Sequence, residues 1–218
     1  EFDKKVFRTK ERPIASGKIS IKIALLYAVI LCLFALLVLL NFNQFTIILA
    51  LCSMPLAFTY PLMKRFTYWP QLFLGITFNY GLILGWTAIK SEIDIIPIIF
   101  YFGAIFWTLG YDTIYGFQDI KDDEIIGLKS TSIKFKGNEK KFLFICYALL
   151  LILFLIGGYF MEFKNTYYFL MIIPFLHLFF YQIKIFESKD SKSCLKVFKS
   201  NNIFGLIIFL NILIAKNL

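Results

Sequence analysis

The residues with the most chemical content lie between Tyr111 and Ser130, in the run YDTIYGFQDIKDDEIIGLKS. Four aspartates, Asp112, Asp119, Asp122 and Asp123, fall within twelve residues. Read as one helix leaving an apolar segment, Asp112, Tyr115, Asp119 and Asp123 share a face, because positions three and four apart are neighbours. Carboxylates gathered this closely repel one another unless a cation joins them. Oxygen donors without His or Cys suit Mg²⁺, which takes one or two carboxylates and fills its shell with substrate phosphate and water. Lys129 and Ser130 follow, and can donate to a phosphate whose charge a metal neutralises only in part. A plain solvated acidic helix end would need neither the shared face with Asp112 nor the trailing Gly-Leu-Lys-Ser.

Two other stretches carry groups that bind anions. RTKERPIASG, residues 8–17, places Arg8 and Arg12 at a Pro…Gly turn, and YPLMKRFTYWPQ, residues 60–71, places a Lys64–Arg65 pair between two apolar runs. A guanidinium grips carboxylate or phosphate through a bidentate fork. Each stretch alone is unremarkable, since basic side chains at span ends often serve only as anchors. Their meaning depends on whether the elements between them bring them to one face.

Those elements are membrane spans. The chain has 218 residues, 59% of them apolar, against about 45–50% for a soluble domain. The apolar residues gather into seven runs, near 20–40, 44–60, 70–89, 94–116, 141–161, 166–185 and 201–217. Each is close to the roughly 20 residues that a helix needs to cross the hydrocarbon core. Backbone groups in lipid must be paired within their own segment, which selects helices, and the alternating pattern of a β-barrel is absent. The expectation is an all-α, multi-span transmembrane bundle forming one domain over residues 1–218. His177, alone in an apolar run, and four cysteines with no CxxC pairing read as packing residues.

Seven crossings put residues 1–22, 61–69, 117–141 and 184–200 on one side. That side holds 20 of the 23 Lys and Arg residues. Positive charge in short loops marks the cytoplasmic side, or the matrix side in a mitochondrion. The net charge of +9 thus reflects topology and attraction to anionic lipid rather than nucleic-acid binding. All three polar stretches share this face. Asp112 lies nearest the membrane interior, where an ionisable residue is a functional candidate.

These three stretches resemble the UbiA superfamily of membrane prenyltransferases, and within it the branch acting on 4-hydroxybenzoate. YDTIYGFQDIKDDEIIGLKS is similar to the second aspartate-rich motif, YPLMKRFTYWPQLFLG to the loop of the hydroxybenzoate branch, and EFDKKVFRTKERPIASG to the tail of the first aspartate-rich motif. The resemblance implies nine spans, of which seven lie in this chain, with two spans and most of the first motif expected upstream of Glu1. It implies Mg²⁺ at Asp119, Asp123 and Asp3, a diphosphate met by Arg8, Arg12, Lys129 and Ser130, and Lys64 among the substrate-binding residues. It further implies Arg65 on an acceptor carboxylate, with Asp112 and Tyr115 in catalysis. The implied substrates are a polyprenyl diphosphate and an aromatic acid, in ubiquinone biosynthesis, in a bacterial plasma membrane or mitochondrial inner membrane.

Two other functions remain compatible with the residues. One is another prenyltransferase of the same superfamily, acting in menaquinone, haem O or lipid synthesis. The other is a transporter, although transporters favour charged groups near the bilayer midplane and here the charges gather at one face. The Asp-Gly…Ala-Arg spacing of CDP-alcohol phosphotransferases is absent.

Overall fold

The computed structural model describes residues 9–217 of the chain, so Asp3 and Arg8 lie outside the described residues. Seven helices are long and apolar enough to cross a membrane: Ile21–Leu39, Gln44–Arg65, Pro70–Lys90, Ile95–Gly116, Glu139–Phe160, Asn165–Ile185 and Ser191–Lys216. They follow the seven apolar runs of the sequence closely, and no strand occurs among the described residues.

We label the helices α1 (Ile21–Leu39), α2 (Gln44–Thr59), α3 (Pro70–Phe78), α4 (Tyr80–Lys90), α5 (Ile95–Gly116), α6 (Ile120–Ile126), α7 (Thr131–Lys134), α8 (Glu139–Phe160), α9 (Asn165–Leu170), α10 (Ile172–Leu176), α11 (Ile183–Ile185) and α12 (Ser191–Asn217). Local chemistry sets their ends. Ser20, Asn43 and Asp94 accept hydrogen bonds from the first free N–H groups of α1, α2 and α5, as good N-cap residues do. A tight 3₁₀ turn, Tyr60–Arg65, continues α2, and Pro70 opens α3 with its fixed φ. The sixth span is assembled from α9, α10, a π-helical turn over His177–Gln182, and α11.

The core lies between α5 and α8, where three glycines take aromatic rings. A Cβ on Gly103 would come within 2.6 Å of the Phe154 ring, one on Gly110 within 2.6 Å of Tyr147, and one on Gly157 within 2.7 Å of Phe100. Small residues let backbones approach closely in membranes, where packing rather than the hydrophobic effect holds helices together. By contrast α1 buries none of its residues and α2 buries only Thr46. Thr46 Oγ1 donates to Thr87 Oγ1 at 3.1 Å, and Asn43 Nδ2 to the Thr87 carbonyl at 2.9 Å, tying α2 to α4.

Two details depart from the sequence-based expectation. The fourth span does not run on as one helix through Asp123. It ends at Gly116, and residues 117–119 turn before α6 begins. The Phe117 and Gln118 amides tighten to the Ile114 and Tyr115 carbonyls at 3.2 and 3.1 Å, so the α-helical pattern closes there. The seventh span also starts at Ser191 instead of near 201, which carries Lys192, Lys196 and Lys199 on its opening turns rather than in a loop.

Candidate active site

The break after Gly116 folds the acidic segment back over the end of α5. Gly116 is required there by close approach: a Cβ would collide with Ser132 Oγ. Ser132 Oγ donates to the Thr113 carbonyl at 2.7 Å, and the Thr113 and Thr131 hydroxyls meet at 2.6 Å. The Thr131 amide donates to Gln71 Oε1 at 3.0 Å. Thr113, Thr131, Ser132 and Gln71 are all buried. They pin the turn after α6 to α5 on one side and to α3 on the other.

Gly127 reverses the chain between α6 and this turn with φ +78°, a left-handed conformation open to glycine. The Leu128 amide then caps the Asp123 carbonyl at 2.9 Å. Next, the Lys129 amide donates to the Lys64 carbonyl at 2.8 Å, and Lys129 Nζ to the Phe66 carbonyl at 3.2 Å. The loop after α2 and the loop after α6 are therefore joined by backbone as well as side chain.

Between these loops is a cavity of about 290 Å³. Asp112, Tyr115 and Gly116 of α5 form one wall, and Asp119 and Asp123 stand beside them. Lys64, Lys129 and Ser130 face the carboxylates from the other two loops, with Tyr60, Gln71 and Leu74 completing the lining. The helix is broken, yet Asp112, Tyr115, Asp119 and Asp123 still converge, because the turn at 117–119 is short. Among the described residues, no hydrogen-bond or ion-pair partner meets the Asp112 carboxylate.

Some candidate residues stand elsewhere. Arg65 and Arg12 are exposed and do not line the cavity. Residues 12–19 form a compact turn, in which the Ser16 amide reaches the Arg12 carbonyl at 2.8 Å and Gly17 takes φ +79°. Ser130 is buried, and its Oγ accepts from the Ile133 amide at 3.2 Å, so the side chain caps α7 while lining the cavity. Asp122 faces away, into a separate pocket with Lys121 and Lys136.

Tyr60, Gln71 and Leu74 were not singled out as site residues from the sequence. Gln71 carried a usable signal, an amide one residue inside an apolar run; Leu74 carried none. No group of three or more His, Cys, Asp or Glu positioned for a metal occurs among the described residues. Asp119 and Asp123 nevertheless share one cavity and supply hard oxygen donors only, which fits an ion that takes one or two carboxylates and leaves its remaining positions to phosphate and water.

Deeper in the bundle, an aromatic wall leads away from this cavity. The Tyr115 ring lies 4.4 Å from Phe198, Phe198 lies 5.8 Å from Tyr111, and Tyr111 lies 5.5 Å from Trp107. Trp107 and Phe204, 4.9 Å apart, line an apolar cavity of about 360 Å³. Asn79, at the break between α3 and α4, also lines it, and its Nδ2 donates to Thr108 Oγ1 at 2.8 Å.

Residues 1–212 match the family described as the UbiA prenyltransferase family. The chain is 45% identical over 217 residues to a mitochondrial 4-hydroxybenzoate polyprenyltransferase of Bos taurus, covering 99% of this chain and 58% of that one. It is 41% identical over 218 residues to 4-hydroxybenzoate geranyltransferase 2 of Lithospermum erythrorhizon, covering 99% and 71%. With a 4-hydroxybenzoate octaprenyltransferase of Francisella tularensis subsp. novicida it shares 36% identity over 210 residues, covering 96% and 74%. The chain thus spans little more than half the length of its mammalian relatives. A solved structure from work on digeranylgeranylglyceryl phosphate synthase superposes with a TM-score of 0.68 at 20% identity, covering 98% of this chain and 78% of that one. At that identity it speaks for the fold alone, a helical membrane bundle. On the family match across nearly its whole length, the chain belongs to the UbiA prenyltransferase family.

Proposed function

We propose that the protein transfers a polyprenyl group from a polyprenyl diphosphate to 4-hydroxybenzoate, as a step in making ubiquinone, with Mg²⁺ as cofactor. The observation that carries this reading is the cavity with Asp112, Asp119 and Asp123 on one wall and Lys64 and Lys129 on the others. The names of the relatives support the acceptor. The mitochondrial and bacterial relatives, together with the basic face, support a mitochondrial inner or bacterial plasma membrane with the cavity on the matrix or cytoplasmic side.

In this reading Asp119 and Asp123 hold the divalent ion, with Asp3 completing the set. When bound, that ion neutralises charge on the diphosphate leaving group. Lys129 Nζ, already held beside the Phe66 carbonyl, donates to a diphosphate oxygen and stabilises the charge that develops as the allylic C–O bond breaks. Arg8 and Arg12 are assigned to the same diphosphate. The acceptor's carboxylate is assigned to the Lys64–Arg65 pair, with Lys64 the member that lines the cavity.

A ring carbon beside the phenol hydroxyl then attacks the allylic carbon. The new C–C bond forms, the ring proton leaves to Asp112, and diphosphate departs with the electron pair of the broken bond. Tyr115 and the rings behind it exclude water, which would otherwise capture the allylic cation, and their faces favour positive charge. The isoprenoid tail is assigned to the apolar cavity lined by Trp107 and Phe204.

Membranes containing the protein, given a polyprenyl diphosphate and labelled 4-hydroxybenzoate, should form prenylated product in a reaction that chelation stops. Asp119→Ala and Asp123→Ala should each lower turnover by about 100-fold or more, since a charge-neutralising metal is worth several kcal/mol. Product formation undiminished in both variants overturns the metal assignment.

A further inference from the structure

A second cleft opens between α8 and the stretch running from α9 to Lys189. Its deeper part is an apolar groove of about 660 Å³, within the size range of ligand sites. Phe144, Ala148 and Ile152 of α8 form one wall, each four residues from the next and so on one helix face. Ile172, Phe175 and Phe180 form the other. Apart from half-buried Ala148, these side chains are exposed in the folded chain, Phe144 by 54% and Phe180 by 62%. Both walls belong to helices long and apolar enough to span a membrane, where apolar surface matches a lipid acyl chain.

A small polar pocket of about 250 Å³ stands at the charged end of the same two walls. Lys140 lines it, four residues before Phe144 and therefore on the same face of α8 as the groove. From the other wall, Glu187, Ser188 and Lys189 follow Ile183 of the groove by a few residues. Glu139 and Phe186 complete the lining. One of the Glu139 oxygens accepts a hydrogen bond from Ser188 Oγ. The other is closed off from solvent and has no hydrogen-bond partner among the described residues. No ion pair among the described residues engages Lys140, Glu187 or Lys189.

The geometry points to a binding site for one phospholipid with an ethanolamine head group, its head in the polar pocket and an acyl chain in the groove. Two lysines and two glutamates make a pocket of balanced charge, which fits a zwitterion better than an anion. The phosphate accepts from Lys140 and Lys189. The primary ammonium donates to Glu187, a bond that the N-methyl groups of choline cannot make. Lysines at the membrane surface attract lipid phosphate, and the groove beneath gives the chain a place. None of these residues lines the carboxylate cavity, so the site is independent of the prenyl-transfer reading.

Native mass spectrometry of the full protein, released from bilayers of equal ethanolamine, choline and glycerol phospholipids, tests the proposal without an activity assay. One ethanolamine lipid per chain should survive collision energies that strip the other two. The double variant Lys140→Glu, Lys189→Glu should lose about tenfold or more of that retention, since each lysine near a head group contributes about fivefold. Ala148→Trp, which fills the groove, should abolish retention while the helix content by circular dichroism stays native. Retention of no lipid, equal retention of the choline lipid, preference for the anionic glycerol lipid, or native retention in both variants overturns it.

Discussion

The carboxylate cavity at the end of α5 and the hydrogen-bonded cluster around Gln182 are both polar groups set in an apolar bundle, yet they are satisfied differently. In the cluster, Tyr147 OH donates to Gln182 Oε1 at 2.6 Å, and Gln182 Nε2 donates to Ser200 Oγ at 3.2 Å and Asn201 Oδ1 at 3.1 Å. Trp107 Nε1 donates to the same Asn201 oxygen at 2.8 Å. Tyr147 and Gln182 are fully buried. The network closes on itself and links α5, α8, the π-helical turn and α12. In the cavity, Asp112 meets no hydrogen-bond or ion-pair partner among the described residues, and Lys64 and Lys129 line the same space. A closed polar network rigidifies a bundle; an open one is shaped for something that arrives.

Replacing one residue of each kind separates these roles. Asp112→Asn keeps the shape and removes the charge. The expected outcome is a loss of turnover of about 100- to 10,000-fold, the range for removing a proton acceptor. Thermal stability should stay level or rise, because an unpaired charge in a membrane span is costly. Turnover and melting temperature measured on the same preparation check this. A melting temperature that falls with near-native turnover would make Asp112 a structural residue.

Gln182→Leu should do the reverse. It leaves Tyr147 OH without its partner, removes the bond to Ser200 Oγ, which still donates to the Val197 carbonyl, and removes one of the two bonds to Asn201 Oδ1. Hydrogen bonds in membrane bundles average about 0.6 kcal/mol, and a buried orphan costs about 1–3 kcal/mol, so a loss of about 2–3 kcal/mol in stability is expected. Turnover per folded molecule should change less than about threefold, since Gln182 touches no proposed substrate. Denaturation in detergent, followed by helix content, measures the first quantity; an active-fraction-corrected assay measures the second.

The open cavity was more legible in the sequence than the closed cluster. Asp112, Tyr115, Asp119 and Asp123 announced themselves by charge in an apolar context and by helical spacing, and the structure brings all four to one cavity. The spacing argument was right in outcome although the helix breaks at Gly116. The contact that accompanies the break, Ser132 against Gly116, lies sixteen residues downstream and leaves no local trace. Gln182 and Asn201 were invisible for the same reason: each reads as an ordinary amide in or beside an apolar run, and only the folded bundle pairs them. The seven spans were legible because crossing a bilayer imposes a length and a composition on each segment separately. Which spans form the core was not, since α1 and α8 are both strongly apolar. Gly103, Gly110 and Gly157 mark the difference, and their meaning depends on the rings of Phe154, Tyr147 and Phe100 opposite them.

The finest comparison lies within the open cavity, between Lys64 and Arg65. They are adjacent in the 3₁₀ turn, but only Lys64 lines the cavity, and Arg65 is exposed. A charged hydrogen bond to a bound carboxylate contributes about 1.5–3 kcal/mol, whereas an exposed pair contributes about 0–1 kcal/mol. Lys64→Ala should therefore raise the KM for 4-hydroxybenzoate by about tenfold or more, and Arg65→Ala by less than about fivefold, with the KM for the diphosphate changing less in both. Steady-state kinetics with each substrate varied in turn decides between them. A larger effect at Arg65 would mean that the turn rotates on substrate binding to bring the guanidinium inward. A matching rise in the diphosphate KM would move the pair to the diphosphate end of the cavity and leave the acceptor's carboxylate to another cation.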